Sequence, residues 1–218
     1  MSQAAVHTLL MNRIYRRQLP VYDLTRKFYL LGRDRLIADL KPNAGDAVLE
    51  IGCGTGRNLV AAARRYPAAR FYGVDVSTVM LTRAIDQLGR AGLSGRVRVA
   101  HGEAASFEPK RLFGRDTFDR IFISYSISMI ADWNDAIDRA LALLAPGGEL
   151  HIVDFGGQSG LPALFRIALR RWLTLFHVTP RDGLERWLTS CARRSGGMLT
   201  IDRPFRDYAQ YAVLRLAN

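Results

Sequence analysis

The sequence has few of the residues that build disulfide frameworks or metal centres, and it lacks long apolar runs. Its 218 residues include only two cysteines and four histidines, which implies neither a disulfide scaffold nor a metal site. No apolar run reaches the ~18 to 20 residues that cross a bilayer. The N-terminus lacks the apolar core of a signal peptide. We therefore expect no bound metal and a cytoplasmic or peripheral protein.

Lysine is also scarce, because only Lys27, Lys41 and Lys110 occur, and a formal net charge of +11 comes almost wholly from arginine. Such a field favours anionic partners, and charge alone does not separate nucleic acid from an anionic membrane surface. The arginines are spread along the chain, and no aromatic-rich basic stripe accompanies them. We therefore expect no nucleic-acid partner. A basic nucleic-acid-binding module built on the same fold is the alternative from another functional class.

The order of strand and helix patterns predicts a doubly wound α/β sheet in one domain, without repeats or a low-complexity linker. Buried parallel strands are predicted over 47–51, 70–74, 96–100, 119–124 and 149–154, helices over 58–66, 77–91, 133–144, 161–176 and from 182, and final strands over 198–202 and 208–216. Ser77 is expected to cap the second of these helices, and Pro146-Gly147-Gly148 to lead into the fifth strand. We predict one domain over 1–218, with an N-terminal helical cover over 1–40 and a core over 41–218.

The most informative stretch joins the first predicted strand to the first helix of this alternation. It reads Glu50-Ile51-Gly52-Cys53-Gly54-Thr55-Gly56, and alternate glycines let a backbone approach a ligand where a Cβ would collide. Asp75 ends the next strand about 20 residues on, the spacing at which an acid binds ribose hydroxyls. Arg57 stands where a dinucleotide fingerprint needs its last glycine, which disfavours a pyrophosphate. Glu50, two residues before Gly52, suits a ligand that carries a cation.

With this motif the chain resembles the class I S-adenosylmethionine-dependent methyltransferases. The resemblance implies a seven-stranded, mostly parallel, Rossmann-like sheet and S-adenosyl-L-methionine as cofactor. It implies that Gly52 and Gly54 meet the methionine part, that Asp75 binds the ribose hydroxyls, and that Val76 and Met80 flank adenine. The other implied cofactor-binding residues are Glu50, Cys53, Gly56, Asn58, Glu103, Ala104 and Ser124. Glu103 stands where the family more often carries Asp.

The segment Ser124-Tyr125-Ser126 ends the fourth predicted strand, where ligands meet the carboxyl ends of strands in open α/β sheets. We expect it beside the reacting sulfonium. Enzymes that methylate nucleobase amines carry a Pro-Pro-Tyr or Pro-Pro-Phe type motif here, which this chain lacks, so DNA amine methylation is not expected. Tyr125 is either substrate-facing or a core aromatic at the strand end.

A second motif lies near the N-terminus, where Tyr22, Arg26, Tyr29 and Arg33 follow helical spacing and form one face of hydroxyl and guanidinium groups. Such a face would cover the cofactor and meet an anionic substrate. The alternative is an amphipathic helix that packs over the sheet with its arginines in solvent.

Together with Gly52 to Asn58, this N-terminal segment is similar to the bacterial betaine-lipid N-methyltransferases, which trimethylate diacylglyceryl-homoserine. The resemblance implies a catalytic lining of Tyr22, Tyr29 and Tyr125 and a carboxylate clamp of Arg26 and Arg33. Phosphatidylethanolamine N-methyltransferases, and small-molecule or quinone methyltransferases of the same fold, are the alternatives. The sequence offers no convincing general base, since His151 and His177 are interpreted as strand and helix-end residues.

The predicted helix over 161–176 mixes large apolar residues with three arginines and no acid, and residues 9–17 have a similar composition. Basic amphipathic helices of this kind lie in membrane interfaces. We therefore expect a lipid substrate, an anionic membrane surface as partner, and peripheral association with the inner membrane. The alternative is that both helices pack on the sheet with a solvated basic face.

Overall fold

Short strands alternate with helices throughout residues 30–176 and 178–217, which the computed structural model describes. The strands are β1 (Ala47–Ile51), β2 (Arg70–Asp75), β3 (Val97–His101), β4 (Phe118–Ser124), β5 (Leu144–Phe155), β6 (Met198–Asp202) and β7 (Ala209–Arg215). The helices are α1 (Arg33–Asp39), α2 (Arg57–Arg65), α3 (Thr78–Arg90), α4 (Pro109–Phe113), α5 (Trp133–Ala142), α6 (Ala163–Thr174) and α7 (Leu184–Ser195), with a 3-10 turn at Ile127–Met129 and a short turn at Pro204–Asp207. Within these ranges, no helix is long and apolar enough to cross a membrane.

The seven strands form one sheet in the order β3-β2-β1-β4-β5-β7-β6. β7 runs antiparallel to both of its neighbours, and the other paired strands are parallel. The predicted doubly wound, mostly parallel sheet is therefore confirmed. Since the strand order reverses between β1 and β4, the carboxyl ends of these two strands open a crevice in which ligands bind in folds of this kind.

Alternation along the buried strand β1 distributes its side chains to two core clusters, one on each face of the sheet. Val48 joins the cluster under α1, α2, α3 and α6. Leu49 and Ile51 join the cluster under α4, α5 and α7. Helices on both faces therefore cover a sheet whose carboxyl edge carries the polar motifs.

Two predicted boundaries are tested by local geometry. The hydroxyl of Ser77 accepts from the Met80 N–H at 3.3 Å, which confirms the expected helix cap. The fifth strand was expected from Glu149 but begins at Leu144, because Leu144 pairs with Phe118 before the register shifts to Arg120 opposite Glu149. The Pro-Gly-Gly segment therefore lies within a bulged strand rather than before it.

Helix α1 is fixed at both ends, and this positions its first residue, Arg33. Before the helix, the Tyr125 hydroxyl donates to the Leu31 carbonyl at 2.6 Å. After it, Arg120 Nε donates to the Leu40 carbonyl at 3.1 Å. The Tyr211 hydroxyl also donates to Asp39 Oδ2 at 3.1 Å. The N-terminal end of α1 is therefore held near the carboxyl edge of the sheet.

Candidate functional site

Neighbouring strand ends bring the predicted residues to one edge of the sheet. Asp75 pairs with His101, so Glu103 follows the end of β3 beside the end of β2. Ile51 pairs with Ile123, so Gly52, which follows β1, lies beside Ser124, the last residue of β4. The sheet order therefore places the adenine, ribose and methionine candidates in series along this edge.

The glycine turn after β1 adopts a backbone that favours glycine. Gly52, Gly54 and Gly56 have φ values of 73°, 53° and 74°, a region that other residues rarely adopt. The N–H groups of Gly52 and Cys53 both donate to the Val74 carbonyl, at 2.8 and 3.1 Å. A Cβ on Gly52 would lie 2.6 Å from Ser126 Oγ. The turn is thus tied to β2 and leaves no room for a side chain at Gly52.

The carboxylate of Asp75 connects the turn to the end of β2. Its Oδ2 accepts from the Gly54 N–H at 2.7 Å and its Oδ1 from the Ser77 N–H at 2.8 Å. Asp75 therefore holds the glycine turn and the start of α3 to the end of β2 through both of its carboxylate oxygens, and its predicted contact with ribose hydroxyls stays a prediction.

A second carboxylate, Glu50, lies in β1 just before the turn and is only 1% exposed. Its Oε1 accepts from Asn58 Nδ2 at 2.7 Å, in the first turn of α2. Burial raises the pKa of the Cys53 thiol well above its ordinary value, and the negative charges of Asp75 and Glu50 raise it further. Cys53 is therefore a neutral packing residue, and the predicted contact of Glu50 with a ligand cation stays a prediction.

A cleft runs between this turn and the start of α1. Its lining consists of Leu30, Arg33, Glu50, Gly52, Cys53, Thr55, Arg57, Asn58 and Ser124. The Ser124 hydroxyl is buried and has no hydrogen-bond partner among the described residues. The Arg33 side chain, 14% exposed, brings a cation to the same cleft that Glu50 lines. The cleft thus combines one acid with two hydroxyl side chains and two arginines.

Tyr125 lies in the core at the end of β4. Of the two alternatives that the sequence left open, a substrate-facing residue or a core aromatic, its position is the second. Its ring packs edge-on against Phe155, with 4.8 Å between centroids, and its hydroxyl is occupied by the Leu31 carbonyl. Burial, followed by the nearby Asp154, raises its pKa well above the ordinary value. The phenol is therefore a neutral donor that holds the segment before α1, and a catalytic role for it stays a prediction.

The predicted adenine-binding residues are close to Asp75 in the chain or in the sheet. Met80 is buried in α3, whereas Val76 is partly exposed. Glu103 and Ala104 are partly buried, and the Glu103 carboxylate makes a long contact of 3.5 Å with the Ser106 hydroxyl. Their roles toward adenine stay predictions.

Sequence reasoning did not assign every residue that lines the cleft. Thr55 is inside the glycine motif and was therefore detectable. Arg57 was used only to disfavour a pyrophosphate ligand, and Leu30 carried no signal of its own. Ser126, named only as part of a strand end, contacts Gly52 and donates to the Ile51 carbonyl at 3.1 Å. Tyr22, Arg26, Tyr29 and His177 lie outside the described residues. Within those residues, no group of three or more His, Cys, Asp or Glu is placed to hold a metal ion.

Comparison with known sequences gives relatives that transfer methyl groups. Residues 48–148 match a family described as a methyltransferase domain. A ubiquinone/menaquinone biosynthesis C-methyltransferase from Syntrophotalea carbinolica is 28% identical over 177 residues, covering 78% of this chain and 70% of the relative. The chain spans about half the length of other curated relatives, such as the demethylmenaquinone methyltransferase of Clavibacter sepedonicus, at 53%.

Solved structures give the same fold. A chain of the complex between the Haloferax volcanii Trm112 methyltransferase activator and a putative methyltransferase aligns with a TM-score of 0.72 at 15% identity, covering 95% of this chain and 97% of that one. A phosphoethanolamine N-methyltransferase from Haemonchus contortus, in complex with S-adenosyl-L-methionine, aligns with a TM-score of 0.67 at 19% identity, covering 85% and 52%. These likenesses establish the Rossmann-like methyltransferase fold.

Proposed function

We propose that this class I S-adenosylmethionine-dependent methyltransferase domain methylates the primary amine of a lipid head group that also carries a carboxylate, with diacylglyceryl-homoserine as the acceptor. The observation that carries the proposal is the presence of Arg33 and Glu50 in one cleft. Glu50 suits the cationic end of the cofactor, and Arg33 suits an anionic acceptor.

The residues of the glycine turn fit the cofactor. The glycine at position 52 lets the turn pack against Ser126, the two oxygens of Asp75 suit ribose hydroxyls, and the buried Glu50 suits an amino group. S-adenosyl-L-methionine supplies a methyl group activated by a positively charged sulfur. The chain needs only to hold that sulfur and the acceptor nitrogen in line, because positive charge moves from one to the other and is not created.

The protein contributes position and exclusion of water rather than acid-base chemistry. In the described part of the cleft, the lining contains no histidine, and Tyr125 is held as a neutral donor to Leu31. A site shielded from water keeps the lone pair of the amine available once its proton has left to solvent. The predicted roles of Tyr22 and Tyr29 in lining the approach of the amine fit this requirement.

Arg33 is suited to orient the acceptor carboxylate. Its Nε and Nη2 donate to Asp34 Oδ1 at 3.1 and 2.8 Å, but the Asp34 side chain is 86% exposed. Exposed pairs contribute about 0 to 1 kcal/mol, so an acceptor carboxylate can replace Asp34 at little cost. The planar fork of arginine then fixes the direction of the head group, together with the predicted contribution of Arg26.

This assignment is tested by comparing diacylglyceryl-homoserine with its carboxyl methyl ester in mixed micelles. The wild type should methylate the free acid at least tenfold faster in kcat/KM. Arg33→Lys should lose most of this preference, because its charge stays while the fork is lost. Equal rates of the wild type on both acceptors would contradict the carboxylate contact.

A quinone ring carbon is the second candidate acceptor, favoured by the similarity to a ubiquinone/menaquinone C-methyltransferase over 78% of this chain. A quinone has no amine and no carboxylate. This candidate therefore predicts carbon-linked methyl groups on the product and no dependence on the acceptor carboxylate.

A further inference from the structure

Large exposed apolar side chains are concentrated in one part of the described surface. The exposed large apolar residues of residues 30–176 and 178–217 are Ile85, Leu164, Phe165, Ile167, Leu175, Met198 and Phe205. Five of these seven belong to α6, to its C-terminal end, or to the turn Pro204–Asp207. We call Leu164, Phe165, Ile167, Leu175 and Phe205, with Arg171 and Arg206, the basic apolar surface.

Helix α6 is apolar on both sides, although only one side packs on the core. Leu169 and Phe176 pack against the core cluster, which includes the buried Leu173. Leu164, Arg171 and Leu175 are separated by seven and four residues, which places them on the opposite face. Leu164 is 83% and Leu175 70% exposed. The outward face of α6 therefore exposes apolar side chains. A helix that only packs on the core usually carries polar residues on that face.

The turn Pro204–Asp207 extends this surface toward the cleft. A Cβ on Gly160, just before α6, would lie 2.9 Å from Arg206 Cβ, and a Cβ on Gly32 would lie 3.8 Å from the Phe205 ring. Since Gly32 precedes Arg33, Phe205 lies between the cleft and the segment that enters α6. Asp207 fixes the turn, because it accepts from Ser159 Oγ at 2.8 Å and from Arg203 Nη1 at 2.9 Å.

Phe205 is exposed at a conformational cost. Phe205, Arg206 and Asp207 have φ values of 58°, 59° and 62°, a left-handed backbone that residues other than glycine rarely adopt in succession. The hydrogen bonds of Asp207 hold this backbone, yet the Phe205 ring stays 51% exposed. Insertion of the ring into an apolar phase would add the stabilisation that water does not supply.

The exposed charges within the basic apolar surface, Arg171 and Arg206, are both positive. Residues 161–176 contain three arginines and no acid. Arg171 and Arg206 are exposed and form no ion pair with any described residue, whereas Arg170 donates to the Gly157 carbonyl at 3.2 Å and pairs with Asp182 at 3.4 Å. Two copies packed through this face would bring arginines of both copies together, which is unfavourable. An anionic lipid surface complements both the charge and the apolar area.

We propose that the basic apolar surface docks the protein on anionic bilayers, with the mouth of the cleft at the lipid interface. The inference deepens the proposed function and rests on it for the lipid nature of the acceptor. Docking needs neither cofactor nor acceptor, so it can be measured separately from methyl transfer.

The test is sedimentation with vesicles of phosphatidylcholine alone or with phosphatidylglycerol. The wild type should bind the anionic vesicles, and high salt should weaken binding. Arg171→Gln with Arg206→Gln should weaken binding about 30-fold, from ~1 kcal/mol per arginine, whereas Arg90→Gln with Arg111→Gln, on other exposed helix positions, should have less effect. Leu164→Ser, Ile167→Ser and Phe205→Ser together should abolish binding, whereas Ile85→Ser with Met198→Ser should not.

Unchanged calorimetric affinity for S-adenosyl-homocysteine shows that each variant is folded. Equal vesicle binding by the wild type and the triple serine variant would overturn the inference even if the lipid amine is methylated in micelles. The inference would also be overturned if the control variants at Arg90 and Arg111, or at Ile85 and Met198, lost as much vesicle binding as the variants of the basic apolar surface. A wild-type dimer that the triple variant dissociates would assign the surface to a second copy instead. Vesicle binding without methylation of any lipid amine would leave docking supported and refute the proposed function.

Discussion

The backbone N–H of Gly54 donates to Oδ2 of Asp75 at 2.7 Å, so the acid that ends β2 also fixes the glycine turn after β1. One carboxylate at the end of β2 therefore supports the turn that follows β1. Local motifs that are separate in the sequence act as one unit in the folded protein.

Asp75→Ala should weaken binding of both S-adenosyl-L-methionine and its demethylated product. Loss of charge-assisted contacts to the ribose costs about 1.5 to 3 kcal/mol, and loss of the Gly54 contact loosens the turn. Titration calorimetry measures both affinities, with Asp86→Ala on the exposed side of α3 as the control. Unchanged affinity in Asp75→Ala would remove Asp75 from the cofactor site.

Glu50→Gln should act on the amino-acid end of the cofactor only. The amide keeps the shape and an oxygen for Asn58 but removes the charge, so affinity for S-adenosyl-homocysteine should fall by about 1.5 to 3 kcal/mol. Affinity for methylthioadenosine, which has no amino-acid portion, should stay the same. Equal losses for both ligands would mean that Glu50 supports the turn and does not contact the amine.

Gly52→Ala separates the strain of a left-handed backbone from the steric clash with Ser126. Gly45 has a φ of 87° and nothing within 4 Å of a Cβ, so Gly45→Ala should cost about 1 to 2 kcal/mol from the left-handed backbone alone. Gly52→Ala adds the contact with Ser126 at 2.6 Å, so it should destabilise the protein more and also abolish cofactor binding. Thermal unfolding and calorimetry on both variants make the comparison. If Gly52→Ala binds the cofactor as well as Gly45→Ala does, the turn at Gly52 is not required for cofactor binding, which would contradict this prediction.

The buried carboxylate of Glu149 should determine part of the acid sensitivity. Its hydrogen bond from His151, then that from Arg215 and the charge of Arg120, lower its pKa from 4.5 to about 2. A carboxyl group with a depressed folded pKa stabilises the fold above its unfolded pKa. That stability is lost as the pH falls from about 4.5 to about 2.

Glu149→Gln should therefore lower the free energy of unfolding at pH 7 by about 2 to 3 kcal/mol and flatten its decrease between pH 4.5 and pH 2. Denaturant unfolding across this range measures the effect. Glu108→Gln, an exposed glutamate before α4, is the control and should keep the wild-type pH dependence. If the free energy of unfolding of Glu149→Gln falls as steeply between pH 4.5 and pH 2 as that of the wild type, other groups cause the loss of stability in acid.

The fold and the position of the glycine turn beside Asp75 follow from local sequence signals. The glycine turn and Asp75 were predicted because adjacent residues specify a strand, a tight turn and a helix. The contact of Tyr125 with Leu31 was not predicted, because it joins residues 94 positions apart. The early start of β5 depends on its pairing with β4. The left-handed turn at Phe205 depends on Asp207 meeting Ser159, 48 positions away, and no local pattern encodes such a contact.

The central claim is methyl transfer to a lipid amine that carries a carboxylate. The most direct measurement supplies purified protein and methyl-labelled S-adenosyl-L-methionine with diacylglyceryl-homoserine, phosphatidylethanolamine or demethylmenaquinone in mixed micelles, and identifies the products by mass spectrometry. We predict label on diacylglyceryl-homoserine, ending in the trimethylated betaine lipid, and little on the other two. Transfer only to phosphatidylethanolamine or only to the quinone would contradict the account and assign the chain to that alternative acceptor.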